Sequence, residues 1–364
     1  MHRAVVVIGG GFGGTLVAKE LDAEAEVTLV DPREAFVNAA ASLRALTRPD
    51  WAPNAFFSFG RLLDRGRVIR DRAVSVDPKG VTLASGERVE ADYLVLATGS
   101  GYPYPAKPNP ASTGIAQQLD DLRATHAELS AAGRVLIAGA GPVGLELAGE
   151  IKEVWPDKHV VVVGRGDQVL PGFLPEVRNE LRRQLAELGI DLRLGTGLTA
   201  PPPTEPGRIG RFEVTTDSGD AIAADIWFRA YGVRIATSYL ADGCLTPVTE
   251  QGTVPVTELL NVQGYEHVYA IGDIVALPDP KMASYAMAQA EVVVRNIRAQ
   301  LAGERPGAVH TPAPVRRILV PLGTRTGVGQ LPAPDGVAAA TVEAVRERKG
   351  ADLFTARFAA RFDR

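Results

Sequence analysis

The sequence predicts an α/β protein of two three-layer domains, the second inserted in the first, with a small α+β region at the C-terminal end. Three observations carry this. Short β-branched runs alternate with longer helical patterns, the signature of parallel sheets covered by helices. Two glycine-rich turns each follow such a run and open a helix. The turns start 130 residues apart (139 − 9), much further than the roughly 30 residues of one βαβ unit. They therefore belong to two separate Rossmann-like domains.

The clearest strand runs are Ala4–Ile8, Glu26–Val30, Tyr93–Ala97, Val135–Ala138, His159–Val163 and His267–Ile271. Pro103, Pro105, Pro108 and Pro110 mark a domain-crossing linker, residues 201–210 read as a surface loop, and 303–314 as a second linker. These breaks divide the chain into 1–105 (first domain, first part), 106–250 (inserted domain), 251–304 (return to the first domain) and 305–364 (C-terminal region).

The net charge of −4 gives no reason to expect nucleic acid. Cys244 is the only cysteine, which excludes an internal disulfide, a zinc or iron–sulfur cluster of the CxxC type and a redox-active cysteine pair. Met1, His2 and Arg3 lead straight into a strand, without the apolar region of a signal peptide. His2 stands where myristoylation needs glycine. No run approaches the 18 or so apolar residues of a membrane span, so a cytoplasmic protein is expected.

The first turn is Gly9-Gly10-Gly11-Phe12-Gly13-Gly14 and the second Gly139-Ala140-Gly141-Pro142-Val143-Gly144. With 38 glycines in 364 residues, GxGxxG arises by accident roughly 0.4 times in such a chain, so context decides. Each copy joins a strand to an amphipathic helix, Thr15–Leu21 and Leu145–Val154. Gly9, Gly11 and Gly14, like Gly139, Gly141 and Gly144, then serve a tight turn, the approach of a pyrophosphate and close helix–strand packing. The helix N-terminus offers free amides to the phosphates. Asp31 closes the second strand of the first unit, placed to bind ribose hydroxyls; the plainer reading is that it starts the Asp31-Pro32 turn. The second unit has Gly164-Arg165 there instead. Arg165 suits a 2′-phosphate, or is a solvated surface arginine, so the choice between NADH and NADPH stays open.

Further stretches carry a resemblance: Val7-Ile-Gly-Gly-Gly-Phe-Gly-Gly14, Ala41-Ser-Leu-Arg-Ala45, Tyr93-Leu-Val-Leu-Ala-Thr-Gly-Ser100, Gly144-Leu-Glu-Leu-Ala-Gly-Glu-Ile-Lys152, Tyr269-Ala-Ile-Gly-Asp273, Pro280-Lys-Met-Ala283, Gly327-Val-Gly-Gln330 and Asp352-Leu-Phe354. Over nearly its whole length the chain resembles the two-dinucleotide, pyridine-nucleotide–disulfide-oxidoreductase-like superfamily. Within it, the chain is most similar to the ferroptosis-suppressor branch of apoptosis-inducing-factor-like proteins, NAD(P)H-dependent quinone reductases related to type II NADH dehydrogenases.

The resemblance implies FAD in the first domain and NADH or NADPH, as electron donor, in the second. FAD contacts then fall on Gly9 to Gly13, on Arg44 at the pyrophosphate, on Ala73 through its backbone at adenine, on Thr98 and Gly99, and on Gly272 and Asp273 at the ribityl–phosphate region. A helix from about Met282 and Ala283 to Leu301 would point its free amides at the flavin pyrimidine. Glu146 would contact the nicotinamide, and Lys281, like Tyr285, stands near the flavin helix as a candidate for the chemistry. Taken alone, Arg44 reads as an exposed helix arginine, and Glu146 as a first-turn glutamate favoured by the helix dipole. Disulfide reductases of the superfamily carry CxxxxC where this chain has Phe36–Leu46 without cysteine, so electrons must leave the flavin directly. The implied reaction is ping-pong: NAD(P)H gives a hydride to flavin N5 and leaves, and a quinone takes the electrons. Two other readings are a reductase of a small redox protein and a nucleotide-responsive interaction protein with slow turnover.

In the tail, residues 315–331 read as two strands, followed by a helix from about Ala338 broken near Gly350. Phe354, Phe358 and Phe362 fall at i, i+4 and i+8, among Arg357, Arg361 and Arg364. This stripe suits either peripheral membrane contact or packing on the body or a second subunit. Monomer and homodimer are both compatible with the sequence.

Overall fold

The computed structural model describes residues 3–313 and 315–362; His2, Pro314 and Arg364 lie outside them. The first sheet is parallel, in the order Val268–Ala270, Tyr93–Leu96, Ala4–Ile8, Glu26–Val30, Arg67–Ile69. Its central strand, Ala4–Ile8, is a run of valines and isoleucine because helices and loops cover both faces; Val5 and Val7 are wholly buried. Helix α1 (Phe12–Leu21) leaves this strand through the first glycine turn and buries Val17, Ala18 and Leu21. The short helix α2 (Ser42–Thr47) is buried at every residue. A three-stranded antiparallel sheet, Ala73–Asp77, Gly80–Leu83 and Arg88–Glu90, completes this part.

The chain crosses to the inserted domain at Ser100–Gly101 and returns at Arg234–Ile235, the two segments pairing antiparallel. Between them lie α3 (Ile115–Ala131), α4 (Pro142–Val154), α5 (Pro175–Glu187) and a parallel sheet ordered Ile190–Leu194, His159–Gly164, Arg134–Ala138, Ile226–Arg229. Tyr239, Leu240 and Leu245 already share the core of Val6 and Ile8. The return to the first domain therefore comes earlier than residue 250.

Helix α6 (Ala283–Leu301) packs across α1. The C-terminal region has three strands, Ile318–Leu322, Thr326–Ala333 and Gly336–Ala340, then α7 (Val342–Val345), a π-turn (Arg346–Gly350) and α8 (Thr355–Arg361). The helix expected from Ala338 begins later. The alanines of 338–340 pair with 329–331 in a strand, and Thr341 caps α7 by accepting the Ala344 amide. Strand pairing overrides local helix propensity here. This sheet sits on α4 so closely that a Cβ on Gly149 would stand 2.5 Å from the Leu322 Cα.

Phe358 and Phe362 are each 1% exposed. Their rings lie 5.0 Å and 5.6 Å from that of Phe36, beside Phe57 and Phe12. Of the two readings of this stripe, Phe358 and Phe362 fit packing on the body, their rings being spent on the first domain. No helix among the described residues is long and apolar enough to cross a membrane.

Candidate functional site

The two glycine turns fold alike. A Cβ on Gly9 would stand 2.4 Å from the Ala97 carbonyl oxygen, and one on Gly139 2.4 Å from that of Ala230. Both residues also hold positive φ, +106° and +125°, where side chains are strained. A Cβ on Gly14 or Gly144 would come within 1.9 Å or 2.0 Å of the Gly9 or Gly139 carbonyl. The middle glycines differ: around Gly11 and Gly141 no atom lies within 4 Å of the added Cβ. The outer glycines are thus demanded by the protein's own packing, while the middle ones border open space. Helices α1 and α4 start there with no side-chain cap on Gly11 or Gly141, leaving first-turn amides for an anion. This is a fit for two pyrophosphates. Gly10 and Gly13 pack inward, a Cβ on them meeting Phe59 at 2.4 Å and Ile271 at 2.9 Å; Phe12 rests on Phe36.

The acid positions separate the two units. Ile8 is in register with Val30 and Ala138 with Val163, so Asp31 and Gly164 hold equivalent places. Asp31, 2% exposed, accepts the Gly10 amide at 2.7 Å and is gripped by the Arg33 amide, Nε and Nη2 at 2.9, 3.0 and 2.9 Å. Burial alone would push its carboxyl up, but Arg33 and the Gly10 amide hold it below the usual range. Gly164 cannot be an acid, since a Cβ there would stand 2.5 Å from the Ala140 Cβ. The Arg165 side chain is 78% exposed, with Asp217 at 4.0 Å.

Thr98 donates to the Ala236 carbonyl at 2.6 Å, and Gly99 turns the chain at φ +64°. Ser100 then donates to Asp273 Oδ2 at 2.5 Å, while Lys107 bonds the Ser100 carbonyl and hydroxyl. Gly272 enters the Asp273 turn at φ +78°. Lys281 gives its ammonium to the Val275 carbonyl at 2.7 Å; burial lowers its pKa against the pull of Asp273 and Asp279. Thr98, Gly99, Asp273 and Lys281 therefore come together as one cluster. Ser100 and Lys107 join it unforeseen, Lys107 from a proline-rich stretch with no motif to mark it. The Met282 amide donates to the Pro280 carbonyl at 2.8 Å, so its expected freedom is corrected. Ala283, the first residue of α6, keeps an amide with no intrahelical acceptor.

Arg44 lies elsewhere. It is 1% exposed and bonds Glu150 through Nε and Nη2 at 3.0 and 2.8 Å, the Ala351 carbonyl through Nη1 at 3.0 Å and that of Gly323 at 3.2 Å. Every guanidinium nitrogen is committed, so the expected pyrophosphate contact is corrected to a buried tie between α2, α4 and the C-terminal region. Ala73 is half-buried at the head of its strand, packed on the core of Ile8 and Val30.

Glu146 on α4 is buried, with Lys349 Nζ 2.6 Å from its Oε1. Lys349 also donates to the Leu319 carbonyl at 3.0 Å. It rides on the π-turn, where the Ala351 amide reaches back to Arg346; such insertions often mark functional positions. Burial raises the Glu146 carboxyl, opposed by Lys349 and abetted by Glu150. Lys349 carries no motif of its own and was not foreseen. Tyr285 is 3% exposed, with Arg317 over its ring at 5.2 Å.

The comparisons agree with this geometry. A family model for pyridine nucleotide-disulphide oxidoreductases matches residues 3–291. The chain is 33% identical over 338 residues to ferroptosis suppressor protein 1 of Taeniopygia guttata, covering 90% of this chain and 88% of that protein. In fold it is similar to the sulfide:quinone oxidoreductase of Aquifex aeolicus (TM-score 0.75, 19% identity, 99% of this chain and 91% of that one). It is similar also to NDH2 of Plasmodium falciparum in complex with NADH (TM-score 0.74, 13% identity, 100% and 98%). Because the family model spans most of its length, the chain belongs to the pyridine nucleotide-disulphide oxidoreductase family.

Proposed function

We propose that this oxidoreductase takes electrons from NAD(P)H and passes them, through FAD, directly to a quinone-like acceptor. The observation that carries the reading is the matched pair of glycine cradles in a chain whose lone sulfhydryl, Cys244, is exposed. FAD and NAD(P)H are the cofactors of this family, and FAD, when bound, supplies the two-electron carrier between nicotinamide and acceptor. The first cradle suits FAD because Asp31, the Asp273 cluster and the start of α6 all belong to that domain. The Gly9 and Gly10 amides are spent on the Val30 carbonyl and on Asp31, so those of Gly11, Phe12 and Gly13 would take its pyrophosphate, Asp31 its ribose, Ala73 its adenine, Asp273 its ribityl–phosphate region and Ala283 its pyrimidine edge. The second cradle, Gly139 to Gly144, would take NAD(P)H, with Arg165 beside the adenosine ribose. With no acid at Gly164, the strand end itself sets no carboxylate against a 2′-phosphate, which suits NADPH or the use of both nucleotides.

Glu146 and Lys349 would orient the nicotinamide end and hold a charge-balanced pair beside it. Lys281 would favour negative charge near the flavin. The quinone rests on the likeness to the ferroptosis-suppressor relatives, which spans most of both chains. The test is anaerobic bleaching of the bound flavin by NADH and by NADPH, followed by reoxidation with a quinone panel and with a small redox protein. Bleaching with rapid quinone reoxidation is expected. No bleaching by either nucleotide overturns the oxidoreductase mechanism; reoxidation by the redox protein alone overturns the quinone.

A further inference from the structure

A buried polar chain lies behind the Asp273 turn, and its side chains, Gln289, Asp279 and His310, take no part in the cofactor contacts assigned above. The Gly272 amide donates to Gln289 Oε1 at 2.7 Å, and Gln289 Nε2 donates to Asp279 Oδ2 at 2.9 Å. His310 Nε2 meets the same Asp279 oxygen at 2.6 Å. The direction of each bond follows from the first. A backbone amide can only donate, so the Gln289 oxygen faces Gly272 and its NH₂ faces Asp279. The carboxylate only accepts, so His310 must present an N–H. Gln289 is 1% exposed, and the side chains of Asp279 and His310 are 4% and 8% exposed.

The imidazole arrives from a segment that reads as a linker but is strapped down. Buried Asn296 of α6 accepts the Ala308 amide at 2.8 Å and donates to the Ala308 carbonyl at 2.8 Å, and the His310 amide donates to the Glu258 carbonyl at 2.8 Å. His310 is thereby held at a fixed place relative to α6. Asp279 sits between Asp273 and α6, in the loop that also carries Lys281. Without His310, the Asp279 carboxylate would be left buried with one side-chain donor, at the cost of an unsatisfied charge.

We infer that His310 is a positioning residue for the flavin-binding turn, acting through Asp279 and Gln289 on Gly272 and Asp273. This rests on the reading of Asp273 as an FAD contact. The experiment compares wild type, His310→Ala, His310→Gln and Asp279→Asn. FAD affinity is measured by fluorescence titration of apoprotein, NADP⁺ affinity by calorimetry on the same samples. His310→Ala and Asp279→Asn should weaken FAD about tenfold and shift the bound-flavin absorption, leaving NADP⁺ affinity within about twofold. His310→Gln, which keeps a donor, should restore most of the FAD affinity. Unchanged FAD affinity and spectrum in His310→Ala, or equal losses at both nucleotide sites, would overturn the inference. A wild-type protein that takes up no FAD would overturn the reading beneath it.

Discussion

The ammonium of Lys349 lies 2.6 Å from the carboxylate of Glu146, across 203 residues of chain. The contact ties the C-terminal region to the helix that opens from the second glycine cradle. Lys349→Met should slow flavin bleaching by NAD(P)H, and so should Glu146→Gln. If they act as a pair, the double variant should be no slower than the worse single one, with a coupling of about 1 kcal/mol or more in a double-mutant cycle read by stopped-flow absorbance. Additive losses would place the two residues in separate roles.

The same glutamate should leave a mark on the pH dependence of stability. Burial raises its folded pKa above the ordinary 4.5. The folded state therefore holds the proton more tightly, and that contribution is full below the unfolded value and lost as pH rises through the folded one. Glu146→Gln should flatten the decline of the thermal midpoint above pH 4.5. An unaltered profile would show that Lys349 compensates the charge fully.

Arg44 offers a clean separation of fold from cofactor. Removing it leaves the buried Glu150 carboxylate with Arg48 as its remaining partner and two backbone carbonyls without a donor, so Arg44→Met should cost about 3 kcal/mol in denaturant unfolding. The protein that remains folded should bind FAD with wild-type affinity. A selective loss of FAD would restore the pyrophosphate role.

At the second cradle, Arg165→Ala should raise KM for NADPH about tenfold, the value of one charge-assisted contact, and leave NADH nearly unchanged. Steady-state kinetics with both nucleotides decides it. Equal effects would mean that Arg165 lies clear of the 2′-position.

The aromatic cluster of α8 is a matter of stability. Phe358→Ala should cost about 3–5 kcal/mol, measured by chemical denaturation. Flotation with quinone-bearing vesicles should be the same for variant and wild type, because this face is turned inward.

Much of this protein is local and therefore legible. The strands Ala4–Ile8 and Glu26–Val30 were readable to the residue, the first because a buried parallel strand is a continuous apolar run, the second from its β-branched residues Val27, Thr28 and Val30. The glycine turns were readable because Gly9 and Gly139 hold positive φ and Gly14 and Gly144 have no room for a Cβ, and the missing cysteine pair excluded a disulfide relay outright. The tertiary structure decided what depends on distant partners. Arg44 looked like a phosphate ligand until Glu150, from another domain, was seen to occupy it. Lys349 had no signal, since its partner is set by a π-turn and by a sheet docked on Gly149. The Phe stripe suited lipid as well as protein until Phe36 and Phe57 closed over it. Periodicity and backbone strain are written along the chain; the pairing of buried charges and the choice of what covers an apolar face exist only once the domains are packed.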